Sequence, residues 1–126
     1  IIAARLGLPD KAWTYFEQAR DTDVGAGRDA AEGIHSANAG ALWQAVVFGF
    51  LGMLPAYQSE VLSFAPRLPR RWKACRLRLH WHGVAAAVCA TTTALEITPD
   101  APLTVRVNGV TRRCPARATT CIALKR

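Results

Sequence analysis

The chain changes its hydrophobic period once along its length. In residues 9–20, "PDKAWTYFEQAR", the residues Ala12, Tyr15, Phe16 and Ala19 recur at helical spacing and predict one apolar stripe. The preceding "IIAARLGLPD" reads as the last turns of an earlier helix. Gly7 suits a left-handed cap there, and Pro9 suits the first position of the next helix. Residues 21–31 hold two glycines and three aspartates and predict a loop. From about Ser36 to Gly52 a further helix is expected. Ala39, Leu42, Trp43, Val46, Val47, Phe50 and Leu51 make it apolar around most of its circumference, so neighbours must enclose it. Gly40, Gly49 and Gly52 each weaken a helix and point to close approach of other backbones.

Pro66 and Pro69 make "SFAPRLPRRWK" an extended connector, after which the period becomes two. Cys75, Leu77, Leu79 and Trp81 alternate with Arg76, Arg78, His80 and His82, the pattern of a half-buried strand. "VAAAVCA", "ALEIT", "LTVRV" and "TTCIAL" read as further strands, and Asn108-Gly109 is the strongest hairpin signal. The expected organisation is a helical unit over 1–62, a proline-containing linker over 63–73 and an antiparallel β domain over 74–126.

Charge sharpens this division. Residues 1–66 carry four basic and seven acidic side chains, a net of −3. Residues 67–126 carry twelve basic and two acidic ones, a net of +10. A basic half can mark a nucleic-acid surface, but no aromatic-rich RNA motif interleaves these arginines, so a solvated sheet face is the plainer reading. The composition, 51% hydrophobic and 20% charged, is that of a globular protein. An initiator Met is rarely removed before a residue as large as Ile1, so a piece of a longer protein is expected. Residues 1–4 lack a basic n-region and a cleavage site, and the apolar run 39–54 is short of the ~20 residues that span a bilayer, so no signal peptide and no membrane span are expected.

The four cysteines, Cys75, Cys89, Cys114 and Cys121, form no CxxC pair, and no zinc site is expected. Cys75 and Cys89 fall in apolar patterns and read as small core residues; the thiols are expected to be reduced, in a cytoplasm. Asp21, Asp23, Asp29 and Glu32 take the first, third, ninth and twelfth places of a calcium-loop spacing. The sixth place is Ala26 rather than Gly and the fifth is Gly25, which argues against calcium. His80 and His82 would project from one strand face but have no evident third ligand, and read as an exposed polar face. Trp43 reads as helix packing rather than a sugar platform.

The densest polar cluster stands directly before the most apolar segment: Glu32, Gly33, His35, Ser36 and Asn38. Together with the segments on either side, this cluster resembles glycoside hydrolase family 65, the family of maltose, trehalose and kojibiose phosphorylases and some hydrolases. The shared elements are Gly33-Ile34-His35, a small-residue run through Gly40, Gln44-Ala45-Val46-Val47, Gly49-Phe50, Pro66, Leu68-Pro69 and Trp72; "LGLPDKAWTYFEQARDTD" looks like the family's penultimate helix. The resemblance implies the last helices of an (α/α)6 barrel followed by a small antiparallel β-sandwich-like domain. The apolar helix would be an inner barrel helix, and its polar start would lie at the barrel mouth. A helix N-terminus attracts anions through its free N–H groups and dipole.

The resemblance makes His35 a phosphate ligand, with Ser36 and Asn38 either capping the helix or also meeting phosphate. Glu32 would be a catalytic base only in a hydrolase; as the structural alternative it is a carboxylate favoured by the helix dipole. The general acid would lie upstream of this chain. The activity so implied is inverting phosphorolysis of an α-glucosidic disaccharide to β-glucose 1-phosphate. Inorganic phosphate would be the co-substrate, with no metal or organic cofactor. The implied partners are the disaccharide, phosphate, the rest of the barrel, and a second copy if the full-length enzyme is a homodimer. Hydrolysis is the alternative within the family. The alternative of another class is a basic β-domain module binding nucleic acid or a protein, whose nucleic-acid binding would weaken steeply with salt.

Overall fold

The structure is a computed structural model that describes residues 1–24, 33 and 35–124. The expected loop over 25–31 and Glu32 lie outside the described residues. Helix α1 (Ile2–Arg5) ends as its sequence predicts. Gly7 takes φ +74°, its N–H donates to the Ala4 carbonyl at 3.1 Å, and Leu8 N–H donates to the Ala3 carbonyl at 2.9 Å. This paired closure satisfies two carbonyls that the helix end leaves free. Pro9 then opens α2 (Pro9–Val24), where its missing N–H costs nothing.

Two expectations for α2 need correction. The helix continues through residues 21–24, where a loop was predicted. The Thr22 hydroxyl donates to the Gln18 carbonyl at 3.1 Å, and Asp23 is engaged from the next helix, so the acidic stretch completes a turn. The predicted stripe is also rotated. Ala12 is buried, but Tyr15 is 53% exposed, and Trp13 packs in its stead against Phe16 with ring centroids 5.7 Å apart.

The third helix is not uniformly α. Helix α3 (Ser36–Gln44) widens into a π-helical turn, Ala45–Phe50. Leu51 N–H donates to the Val46 carbonyl at 2.9 Å and Met53 N–H to the Val47 carbonyl at 3.0 Å. The carbonyls at its end are taken by the connector: Phe50 by Arg67 N–H at 2.7 Å, Leu51 and Gly52 by Ala65 N–H at 3.3 and 3.2 Å. Two glycines allow these approaches. A Cβ on Gly49 would lie 3.2 Å from Ile1 Cα, and one on Gly52 (φ +61°) would collide with the Ala65 carbonyl oxygen. Among the described residues Gly40 meets nothing within 4 Å, so no backbone approach there explains it. The enclosure expected for this helix is met at its end, where Val47, Phe50 and Leu51 are buried, but not along α3 among the described residues. No residue of α3 is buried, and Trp43, read from sequence as packed, is 59% exposed with Phe48 at its edge.

The second half is a sandwich of two sheets. One has the order β1 (Leu62–Phe64), β5 (Leu103–Val107), β6 (Val110–Cys114); the other has β2 (Cys75–Trp81), β3 (Val84–Ala90), β4 (Ala94–Pro99), β7 (Thr120–Ala123). Pairing is antiparallel except β1–β5, which is parallel, so the sandwich is not wholly antiparallel. Strand β1 also crosses the boundary expected after residue 62, and its three residues are buried, so the sheet domain begins before the connector. Leu62, Phe64, Val105 and Val107 of one sheet meet Trp81, Val88, Leu95, Ile97 and Ile122 of the other, with Leu51 inserted from the π-helical end.

Two of the hairpin turns follow from left-handed residues. Asn108 (φ +48°) and Gly109 (φ +80°) join β5 to β6, as the Asn-Gly signal predicts. His82 (φ +48°) and Gly83 (φ +83°) join β2 to β3 in the same way. His82 is therefore a turn residue, and the predicted pair of imidazoles on one strand face does not form. Cys75 lies against the core as expected, and its thiol is pushed up by burial and by the Cys89 thiol. Cys89 is a correction: Ala86, Val88 and Ala90 fill the core side of β3, so the alternation puts Cys89 on the outer face.

The connector is a fastener rather than a free tether. Trp72 lies edge-on to Phe50 (5.2 Å), Phe16 (5.9 Å) and Trp13 (6.0 Å), which docks α2 and the π-helical turn onto the chain leading into β2.

Candidate functional site

His35 is the N-cap residue of α3, with extended backbone angles and no side-chain cap bond. Ser36 and Asn38 do not cap the helix, contrary to one of the two readings of the sequence. Ser36 stands in the first turn and is exposed. Asn38 turns back to α2, where its Nδ2 donates to the Ala19 carbonyl at 2.8 Å and to Asp23 Oδ2 at 2.8 Å. Among the described residues no side chain caps the free N–H groups that begin this helix, and the dipole favours an anion at this end.

The residue that organises the cluster is Asp23, which the sequence suggests only as a misfitting calcium ligand. Its Oδ1 accepts from His35 Nδ1 at 2.6 Å and from the His35 backbone N–H at 3.3 Å. Its Oδ2 accepts from Asn38. The side chain is 8% exposed, whereas that of His35 is 57% exposed. The Asn38 and His35 hydrogen bonds hold the Asp23 carboxyl below its ordinary value, against the opposing effect of burial. An ionised carboxylate accepts only, so Nδ1 of His35 carries the proton and Nε2 is the ring nitrogen left for another partner. Nε2 has no partner among the described residues. No local sequence signal marks Asp23: it lies twelve positions before His35, across residues whose path the pattern does not define.

His35, Ser36 and Asn38 are thus brought to one helix start, with Asn38 spent on holding α2. Glu32 lies outside the described residues. Among the described residues no three His, Cys, Asp or Glu side chains are grouped as a metal would require, and no helix is long and apolar enough to cross a membrane. Beside the site, an open apolar groove of about 580 Å³ runs between α1, α2 and α3, walled by Ile2, Leu6, Leu8, Tyr15 and Leu42. It does not include His35 and has too little polar lining to be the reactive centre.

Residues 57–111 match the model of the glycosyl hydrolase family 65 C-terminal domain. The histidine cluster lies within a longer likeness. The chain is 31% identical over 110 residues to the kojibiose phosphorylase of Escherichia coli K12, covering 86% of this chain and 14% of that protein. The chain belongs to glycosyl hydrolase family 65. It is 34% identical over 113 residues to the alpha,alpha-trehalose phosphorylase of Geobacillus stearothermophilus, again covering 86% of this chain and 14% of that protein. The family 65 chain therefore spans about a seventh of the length of these relatives. A solved human-microbiome protein described as a kojibiose phosphorylase has the same fold. It superposes with a TM-score of 0.86 at 22% identity, covering 99% of this chain and 18% of its own.

Proposed function

We propose that this chain is the C-terminal portion of a family 65 disaccharide phosphorylase and supplies its phosphate-binding helix start. The observation that carries the reading is His35. Its Nδ1 is held by a nearly buried carboxylate, its side chain is 57% exposed, and it stands at a helix N-terminus that no described side chain caps. These features together suit an anion better than a neutral ligand. The phosphorylase names of the relatives support phosphate as that anion. In the proposed reaction phosphate attacks the anomeric carbon of an α-linked glucose unit while an acid elsewhere in the protein protonates the leaving oxygen. The C–O bond to the leaving sugar breaks, the new C–O bond to phosphate forms on the opposite face, and β-glucose 1-phosphate results. His35 and the helix dipole hold the nucleophile; no metal or organic cofactor takes part.

The exposed apolar surface of α1 and α3 fits the same reading. Ile2, Leu6 and Trp43 would pack against the remaining helices of an (α/α)6 barrel, which would also fill the groove beside α2. The test is product analysis on the full-length protein with kojibiose, trehalose and maltose. Formation of β-glucose 1-phosphate in step with released sugar, and no turnover without phosphate, is the expected result. Free glucose from both halves of the disaccharide without phosphate would make the enzyme a hydrolase. Glu32→Gln should then abolish turnover, whereas it should matter little in a phosphorylase.

A further inference from the structure

We infer that Asp23 is a positioning residue for phosphate: it fixes the proton on His35 Nδ1 and so decides what Nε2 presents to the anion. The inference rests on the proposed role of His35. Oδ1 takes the ring at 2.6 Å and also the backbone N–H of the same residue, so the carboxylate restrains both the imidazole and the first residue of the helix start. Oδ2 takes Asn38 Nδ2, which is itself tied to Ala19 of α2. The clamp thus joins the last turn of α2 to the first turn of α3 through one side chain that solvent barely reaches.

The chemistry of this arrangement is definite. With Nδ1–H given to Asp23, Nε2 carries a lone pair in the neutral ring and a proton only in the imidazolium. The imidazolium then stands between two anions, Asp23 and phosphate, and each of its N–H groups meets one of them. A carboxamide at position 23 cannot reproduce this. If its oxygen faces His35, its NH2 group faces the NH2 of Asn38, and two donors oppose each other. If it is flipped, its NH2 faces Nδ1 and favours the other tautomer. Either way the ring loses its single orientation and its counter-charge.

The experiment is a double-mutant cycle in the full-length protein with inorganic phosphate as the varied substrate. Asp23→Asn should raise the KM for phosphate roughly ten-fold, as expected for loss of a charge-assisted contact made through another residue. It should leave kcat at saturating phosphate and the KM for disaccharide little changed. In the His35→Ala background the same Asp23 substitution should add nothing. Equal loss in both backgrounds, or no loss in the single variant, would overturn the positioning role. If His35→Ala itself leaves the phosphate KM unchanged, the role of His35 fails and this inference fails with it. Should Asp23→Asn not fold, the nitrogen resonances of 15N-labelled His35 in the unaltered protein decide. Nδ1 should be protonated and Nε2 should shift on adding phosphate; a bare Nδ1 would refute the assignment.

Discussion

Two demands meet at Gly52: its φ of +61° disfavours any side chain, and a Cβ would strike the Ala65 carbonyl. Gly52→Ala should therefore cost on the order of 2–3 kcal/mol, while Gly83→Ala, with φ +83° and open space, should cost only about 1 kcal/mol. Urea midpoints of the two variants check the difference. Asp23 makes a prediction about pH. Its carboxyl is held below the ordinary 3.8, so its contribution to stability is fully present above that value and is lost as pH falls through the lower folded value. The stability gap between the parent and Asp23→Asn should accordingly narrow as acid takes it below 3.8. Thermal unfolding between pH 2 and 7 reads it; a gap that widens in acid would reverse the sign assigned to the clamp. His35 could be singled out in the sequence because it stands where a polar cluster meets an apolar run. Asp23 could not, because its role depends on two helices meeting, and nothing local to residues 21–23 encodes that meeting.

Elements were legible where one local rule governs them. Gly7-Leu8-Pro9 closes one helix and opens the next, and Asn108-Gly109 turns a hairpin, each by backbone preference alone. The alternation of residues 75–81 gives β2 its buried side. Three features escaped. Strand β1 is only three residues long and pairs in parallel with a distant strand; the π-helical turn depends on connector N–H groups that take its last carbonyls; and His82 adopts a turn conformation usual for Asn. The connector residue Trp72 ties these pieces together through its contacts with Phe50, Phe16 and Trp13. Trp72→Ala should destabilise the chain by about 3–5 kcal/mol. It should also expose residues 65–74 to limited proteolysis before the sheets unfold. Loss of stability without earlier cleavage there would mean that Trp72 serves only as bulk in the core.

The whole molecule is two unlike surfaces joined by one aromatic cluster. The sheet half has a closed core between its layers, whereas the helical half turns Ile2, Leu6, Tyr15 and Trp43 outward. Produced alone, residues 1–126 should self-associate and bind an apolar dye, and residues 51–126 should do so far less. Size-exclusion chromatography with dye fluorescence distinguishes the two; a clean, dye-silent monomer of 1–126 would show that the helical half needs no cover. The uncovered apolar surface and the proposed phosphate site lie on the same helical half. The most direct measurement is the phosphate dependence of turnover in the full-length protein before and after His35→Ala. Loss of one charge-assisted hydrogen bond should lower kcat/KM for phosphate by roughly ten- to 150-fold while disaccharide binding persists. An unchanged phosphate dependence would remove His35 from the site and contradict the account.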